Sequence, residues 1–185
     1  VRTFLAFDVE EDVKSRVAEI TARFRAIDRG VRWVNEENMH VTVYFFGEVD
    51  ENRIPDLIHI CREAVEGIEP FSLTVQGISA FPRLDRARVI WYGILNEGDQ
   101  LLKVYERVRE GLRGSGIVKT IEERPYTPHL TAGRVRHGME RRLVDEINDL
   151  HDLSFGSSRV SEMILFKSVL TPKGAAYEKL ALISL

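Results

Sequence analysis

The chain predicts an α+β protein with two pseudo-symmetric lobes of mainly antiparallel sheet, outer helices, and a cleft between the lobes. Two observations predict it. Helical and strand periodicities alternate along all 185 residues, with turn-rich connections and no Gly/Ser/Pro-rich linker. One tetrad, His-x-Thr-x, also occurs twice, as His40-Val41-Thr42-Val43 and His129-Leu130-Thr131-Ala132, each time inside a strand-like run. The copies sit in comparable settings in the first and second halves, which we read as two related lobes about a pseudo-two-fold axis. Residues 1–185 then form a single two-lobed domain.

The elements follow in order. Residues 2–9 read as a buried first strand. Val13, Val17, Ile20, Phe24 and Ile27 recur at three- and four-residue steps, so 11–28 is predicted as an amphipathic helix. A short strand around Val31–Val34 precedes the first motif strand, His40–Phe46, which Gly47 ends. Ile54, Leu57, Ile58, Cys61, Val65 and Ile68 mark a second helix. Strands follow at Ser72–Ala80 and Ala87–Ile94, then a helix carried by Leu101, Leu102, Val104, Tyr105, Val108 and Leu112. The second motif strand runs from His129 to Val135, and a helix covers Met139–Leu150. Two strands close the chain, Ser158–Leu170 and Ala176–Ile183, joined by Thr171-Pro172-Lys173-Gly174.

Composition narrows the partners. A net charge of −3 argues against a broad, sequence-independent nucleic-acid footprint but leaves room for a local basic patch. No apolar run approaches the roughly 20 residues that cross a bilayer, and the start reads as folded chain rather than a signal peptide. The single Cys61 rules out an internal disulfide and a cysteine-based zinc site, which suits a reducing cytoplasm. No membrane association is expected, and a monomer is the default for a cleft assembled within one chain.

In a strand, residues i and i+2 share a face. His40 projects with Thr42 and His129 with Thr131, while Val41, Val43, Leu130 and Ala132 face the other way. Two copies on facing strands would bring two imidazoles and two hydroxyls into one cleft. Imidazole titrates near neutrality and serves as acid or base, and threonine hydroxyls donate hydrogen bonds to developing negative charge. That is a kit for moving protons around a phosphate without a metal or other cofactor.

Other residues carry weaker signals. Arg134 lies five residues after His129, on the opposite face of an ideal strand, and a twist or bulge after Gly133 would return it to the cleft as a phosphate or ribose contact. Tyr126 and Trp33 are candidates for stacking on a base. Pro128 suits a strand beginning. His59 reads as surface, His137 as a turn residue near the second motif, and His151 as a partner of a helix end.

Val34-Asn35-Glu36-Glu37-Asn38-Met39-His40-Val41-Thr42-Val43-Tyr44-Phe45-Phe46-Gly47-Glu48-Val49 and Pro128-His129-Leu130-Thr131-Ala132-Gly133-Arg134-Val135 resemble the two motif regions of the 2′-5′ RNA ligase / RNA 2′,3′-cyclic phosphodiesterase family, of the two-histidine phosphoesterase superfamily. Arg2-Thr3-Phe4-Leu5-Ala6-Phe7-Asp8 and Leu170-Thr171-Pro172-Lys173-Gly174-Ala175-Ala176-Tyr177-Glu178 are similar to its start and its last hairpin. The resemblance implies metal-independent opening of RNA 2′,3′-cyclic phosphates to 2′-phosphates, with reversible 2′-5′ joining in some members. It implies His40 as proton donor to the departing O3′ and His129 as proton acceptor from water. The residues alone leave those two roles interchangeable. Partners would be RNA ends or nucleotides bearing a 2′,3′-cyclic phosphate, tRNA fragments among them. The alternatives are a cyclic phosphate from ADP-ribose metabolism as substrate, and a non-catalytic protein that binds RNA ends. A metallohydrolase is disfavoured because His-x-Thr lacks metal-ligand spacing and a companion carboxylate.

Overall fold

A computed structural model describes residues 1–185. Nine strands form one sheet: β1 (Arg2–Phe7), β2 (Arg32–Trp33), β3 (Val41–Glu48), β4 (Phe71–Phe81), β5 (Val89–Leu95), β6 (His129–Arg134), β7 (Ser154–Val160), β8 (Glu162–Thr171) and β9 (Gly174–Ser184). The helices are α1 (Glu11–Ile27), α2 (Ile54–Val65), α3 (Gln100–Leu112) and α4 (Arg141–Asp149). Every pairing is antiparallel, in the order β7-β4-β5-β6-β3-β1-β8-β9, with β2 paired to β6.

The helical periodicities hold. Val13, Val17 and Phe24 of α1 and Leu101, Val104, Tyr105, Val108 and Leu112 of α3 are buried. Pro55 opens α2, where its missing N–H costs nothing. One continuous core fills the space between helices and sheet. A second, small cluster of Phe4, Ala6, Ile164 and Phe166 lies on the opposite, helix-free face.

The final predicted strand pair is three strands. Ser158–Leu170 divides at Ser161: β7 pairs with β4 at one end of the sheet, and β8 pairs with β1 towards the other. Ser161 and Glu162 interrupt the apolar alternation at the break, but no Gly or Pro marks it, and strand-forming residues on both sides read as one run. Gly47, expected to end β3, lies within it at φ 73°.

The lobes are not the sequence halves. One comprises β4, β5, β6 and β7, the other β1, β3, β8 and β9. The connecting helices cross over. Helix α1 lies in the connection that leaves β1 and reaches β3 by way of β2, yet it packs on β7 and α4, and α3 links β5 to β6 yet packs on β3 and α2. Each lobe therefore relies on a helix from the other's connection for its outer cover.

Candidate active site

The lobes meet where β3 pairs with β6, and the single registered pair there is Val41 with Leu130. Both side chains are fully buried on the core face. Extending the antiparallel register one residue each way sets His40 opposite Thr131 and Thr42 opposite His129. The two tetrads thus lie on adjacent strands of one sheet, cross-paired about a local two-fold, and all four side chains line one cleft of about 580 Å³.

The fourth position of each tetrad breaks the alternation. Along β1 and β3, Leu5 pairs with Tyr44 and Ala6 with Thr42, leaving Val43 as an extra residue. Along β5 and β6, Trp91 pairs with Thr131 and Ile90 with Gly133, leaving Ala132 extra. A bulge shifts the side-chain phase by one. The residue five after each histidine therefore returns to the cleft face: Phe45 at one end and Arg134 at the other, both cleft-lining and exposed. A bulge does return Arg134 to the cleft, but it lies at Ala132, before Gly133 rather than after it. The same device delivers an aromatic ring to the equivalent position in the first lobe.

Both imidazoles are held by backbone two residues upstream and by aromatic rings. Nδ1 of His129 lies 2.8 Å from the Thr127 carbonyl. Because a carbonyl only accepts, the neutral ring carries its proton on Nδ1 and leaves the Nε2 lone pair available. Phe81 meets this ring edge-on at 5.2 Å. His40 stacks on Phe4 at 4.9 Å, with Phe166 and the edge of Tyr177 beside it, and hydrogen-bonds to the Asn38 backbone. Burial in this box pushes the His40 pKa down to about 4, with Asp8 pulling it up and Lys14 pushing it down. His129 is lowered too, first by burial and further by the Arg134 guanidinium, against the pull of the Thr127 carbonyl.

Arg2, Arg32 and Lys173 join Arg134 in the cleft wall, and no carboxylate lines it. None of the four cations forms an ion pair. Arg32 and Arg134 are direct cross-strand partners, a like-charge placement that costs stability unless an anion lies between them. At the other end the Arg2 guanidinium sits 4.9 Å above the Phe45 ring. An overall acidic chain thereby concentrates positive charge at one place. No group of three or more His, Cys, Asp or Glu side chains is arranged to hold a metal ion.

Tyr126 is a correction. Its hydroxyl donates to the Thr42 carbonyl at 3.0 Å and its ring stacks on Tyr105 at 4.8 Å, outside the cleft lining. It braces β3 through that hydrogen bond, half-buried against the core. Trp33 does line the cleft. His59 pairs with Glu63 on the α2 surface, His151 bonds to the Asn148 carbonyl, and His137 is exposed outside the cleft. Sequence reasoning passed over Arg2, Arg32, Phe45, Lys173 and the aromatic box. A signal for Phe45 was present: it stands five residues from His40, as Arg134 does from His129.

Comparison with known proteins agrees with this geometry. The pattern of the family described as LigT like Phosphoesterase matches residues 7–91. An RNA 2′,3′-cyclic phosphodiesterase of Thermotoga maritima is 39% identical over 183 residues, covering 97% of this chain and 93% of that one. The protein of the same description from Methanocaldococcus jannaschii is 35% identical, covering 96% and 97%. The crystal structure of TT0787 of Thermus thermophilus superposes with a TM-score of 0.84 at 27% identity, over 100% of this chain and 98% of that one. Escherichia coli LigT complexed with 3′-AMP shares the fold, with a TM-score of 0.78 at 22% identity, over 100% and 97%. With a doubled tetrad at one cleft and relatives matched over nearly their whole length, the chain belongs to the family of LigT-like phosphoesterases that includes RNA 2′,3′-cyclic phosphodiesterases.

Proposed function

We propose that the protein is an RNA 2′,3′-cyclic phosphodiesterase that hydrolyses a terminal 2′,3′-cyclic phosphate to a 2′-phosphate without a metal. The observation that carries this reading is the cross-paired placement of His40, Thr42, His129 and Thr131 in a cationic cleft with no carboxylate in its wall. Relatives at 39% and 35% identity that bear that activity in their names support it.

Nε2 of neutral His129 accepts a proton from water as the water oxygen bonds to phosphorus. The P–O3′ bond breaks, and His40 gives its proton to O3′. Thr42 and Thr131 donate hydrogen bonds to the non-bridging oxygens, where negative charge accumulates. His129 then returns its proton to solvent and His40 takes one up. Arg134 disfavours a protonated His129, which suits a base. Burial opposes a protonated His40, so the anionic substrate, with Asp8, has to restore that proton on binding. With an RNA 5′-hydroxyl in place of water, the same attack makes a 2′-5′ linkage.

A short RNA ending in a 2′,3′-cyclic phosphate, incubated in EDTA, tests this. A 2′-phosphate product formed by wild type and lost in both His40→Ala and His129→Ala is expected. Binding without turnover by folded wild type would instead indicate a protein that only holds RNA ends. Strong preference for an ADP-ribose cyclic phosphate would overturn the RNA assignment.

The same reading makes residues 1–185 one cooperative, monomeric domain, because each lobe is covered by the other's helix. A single unfolding transition and a monomer mass by light scattering check it. We place the protein in the cytoplasm on the strength of its lone, buried Cys61, and fractionation tests that.

A further inference from the structure

A second groove adjoins the cleft. It has a volume of about 570 Å³ and lies along the end of α1, with Ala22, Ala26 and Val31 as its apolar floor. It shares Trp33 and Asn35 with the cleft, so the two depressions are continuous around β2. Trp33 is fixed by its indole N–H, which donates to the Asp28 carbonyl at 2.8 Å, and it lines both depressions. Arg25 and Arg29 are the charged groups of the groove, and both are exposed. Neither forms an ion pair.

The nearest carboxylates in sequence do not line it. Asp28 is buried and turned inward, accepting from the Gly30 and Glu140 backbone N–H groups, and Glu36 and Glu37 lie outside the lining. The negative end of α1 accounts for a cation at Arg25. It does not account for Arg29, which lies beyond the helix, or for the continuity with Arg32 and Arg134 in the cleft. Arginines beside a half-buried tryptophan that borders both depressions suit a single strand, whose backbone tracks cations while its bases stack.

We propose that this groove is an RNA subsite that binds the backbone phosphates of the nucleotides preceding the terminal cyclic phosphate, with Trp33 as its stacking platform. The inference rests on the phosphodiesterase reading and deepens it: the preferred substrate is the end of an RNA strand rather than a mononucleotide.

The test compares a mononucleotide 2′,3′-cyclic phosphate with a ten-residue RNA ending in one, on wild type, the Arg25→Gln/Arg29→Gln double variant, and Arg62→Gln as an exposed control on α2. Each phosphate contact with a single strand contributes about 0.7 to the slope of log affinity against log salt. Losing two removes about 1.4, so the oligonucleotide's KM should respond roughly sevenfold less to a change from 50 to 200 mM salt. The double variant is expected to raise KM for the RNA, leave kcat unchanged, and leave the mononucleotide untouched. Wild-type KM and salt slope on the RNA would overturn the subsite, as would equal losses on both substrates. If wild type turns over neither substrate, the phosphodiesterase reading itself falls and takes the subsite with it.

Discussion

Gly133→Ala probes the joint between β6 and β2. Gly133 is buried, follows the bulged Ala132, and pairs with Trp33. A Cβ there would meet Val31 Cγ1 at 2.9 Å, Trp33 Cε3 at 3.0 Å and the Arg32 carbonyl at 3.3 Å. The first two are side chains packed against the core, and the third is backbone, so β2 has to move outward. Overpacking of this kind costs about 1–3 kcal/mol, and for a chain of this length each kcal/mol lowers Tm by roughly 2–4 °C. Displaced β2 separates Arg32 from Arg134, whereas His129 and Thr131 stay pinned by β5. Misplacement of a positioning group by about 1 Å costs up to roughly 10²-fold. The expected result is a Tm lower by several degrees and kcat/KM on cyclic-phosphate RNA lower by about 10- to 100-fold. Val31→Ala in the same chain should restore part of the stability, because one of the three contacts disappears. Calorimetry and steady-state kinetics read both effects. Wild-type Tm and kcat/KM in Gly133→Ala would refute the account of β2 as pressed against the bulge.

Three further outcomes are expected. The kcat/KM profile should peak on the acid side of neutrality, between about pH 4 and the ordinary imidazole value of 6.5, because both histidines are depressed in the free protein. It falls below that window as the base is protonated and above it as the acid loses its proton, while the kcat profile sits at higher pH because bound phosphate favours the charged ring. A kcat/KM still rising from pH 7 to 8 would contradict this. Thr42→Val and Thr131→Val should each lower kcat by roughly 10²-fold with little change in KM, since their hydroxyls act on charge that develops in the transition state; a pure KM effect in single-turnover assays would reassign them to ground-state binding. Tyr126→Phe leaves the Thr42 carbonyl without its donor, which costs about 1–3 kcal/mol of stability in urea unfolding, and KM should hold because the ring lies outside the cleft.

The sequence by itself determined what is local. Helical and strand periods are properties of a dozen neighbouring residues, so α1, α3, β1, β4, β6 and the shared face of each His-x-Thr pair were legible. So was a kit of two imidazoles and two hydroxyls suited to proton transfer around a phosphate, while its assignment to cyclic-phosphate opening came from the resemblance of the two motif regions. The tertiary structure alone decided what depends on partners distant in the chain. The bulges at Val43 and Ala132 exist only relative to β1 and β5, and they turn Phe45 and Arg134 towards the cleft. Arg2, Arg32 and Lys173 gather there because β1, β2 and the β8–β9 hairpin are assembled around β3 and β6. Tyr126 was misread for the same reason, since nothing beside it in sequence announces the Thr42 carbonyl 84 residues away. Alternation along a strand is set by the backbone of that strand, whereas register, bulges and strand order are set by what else must be buried against it.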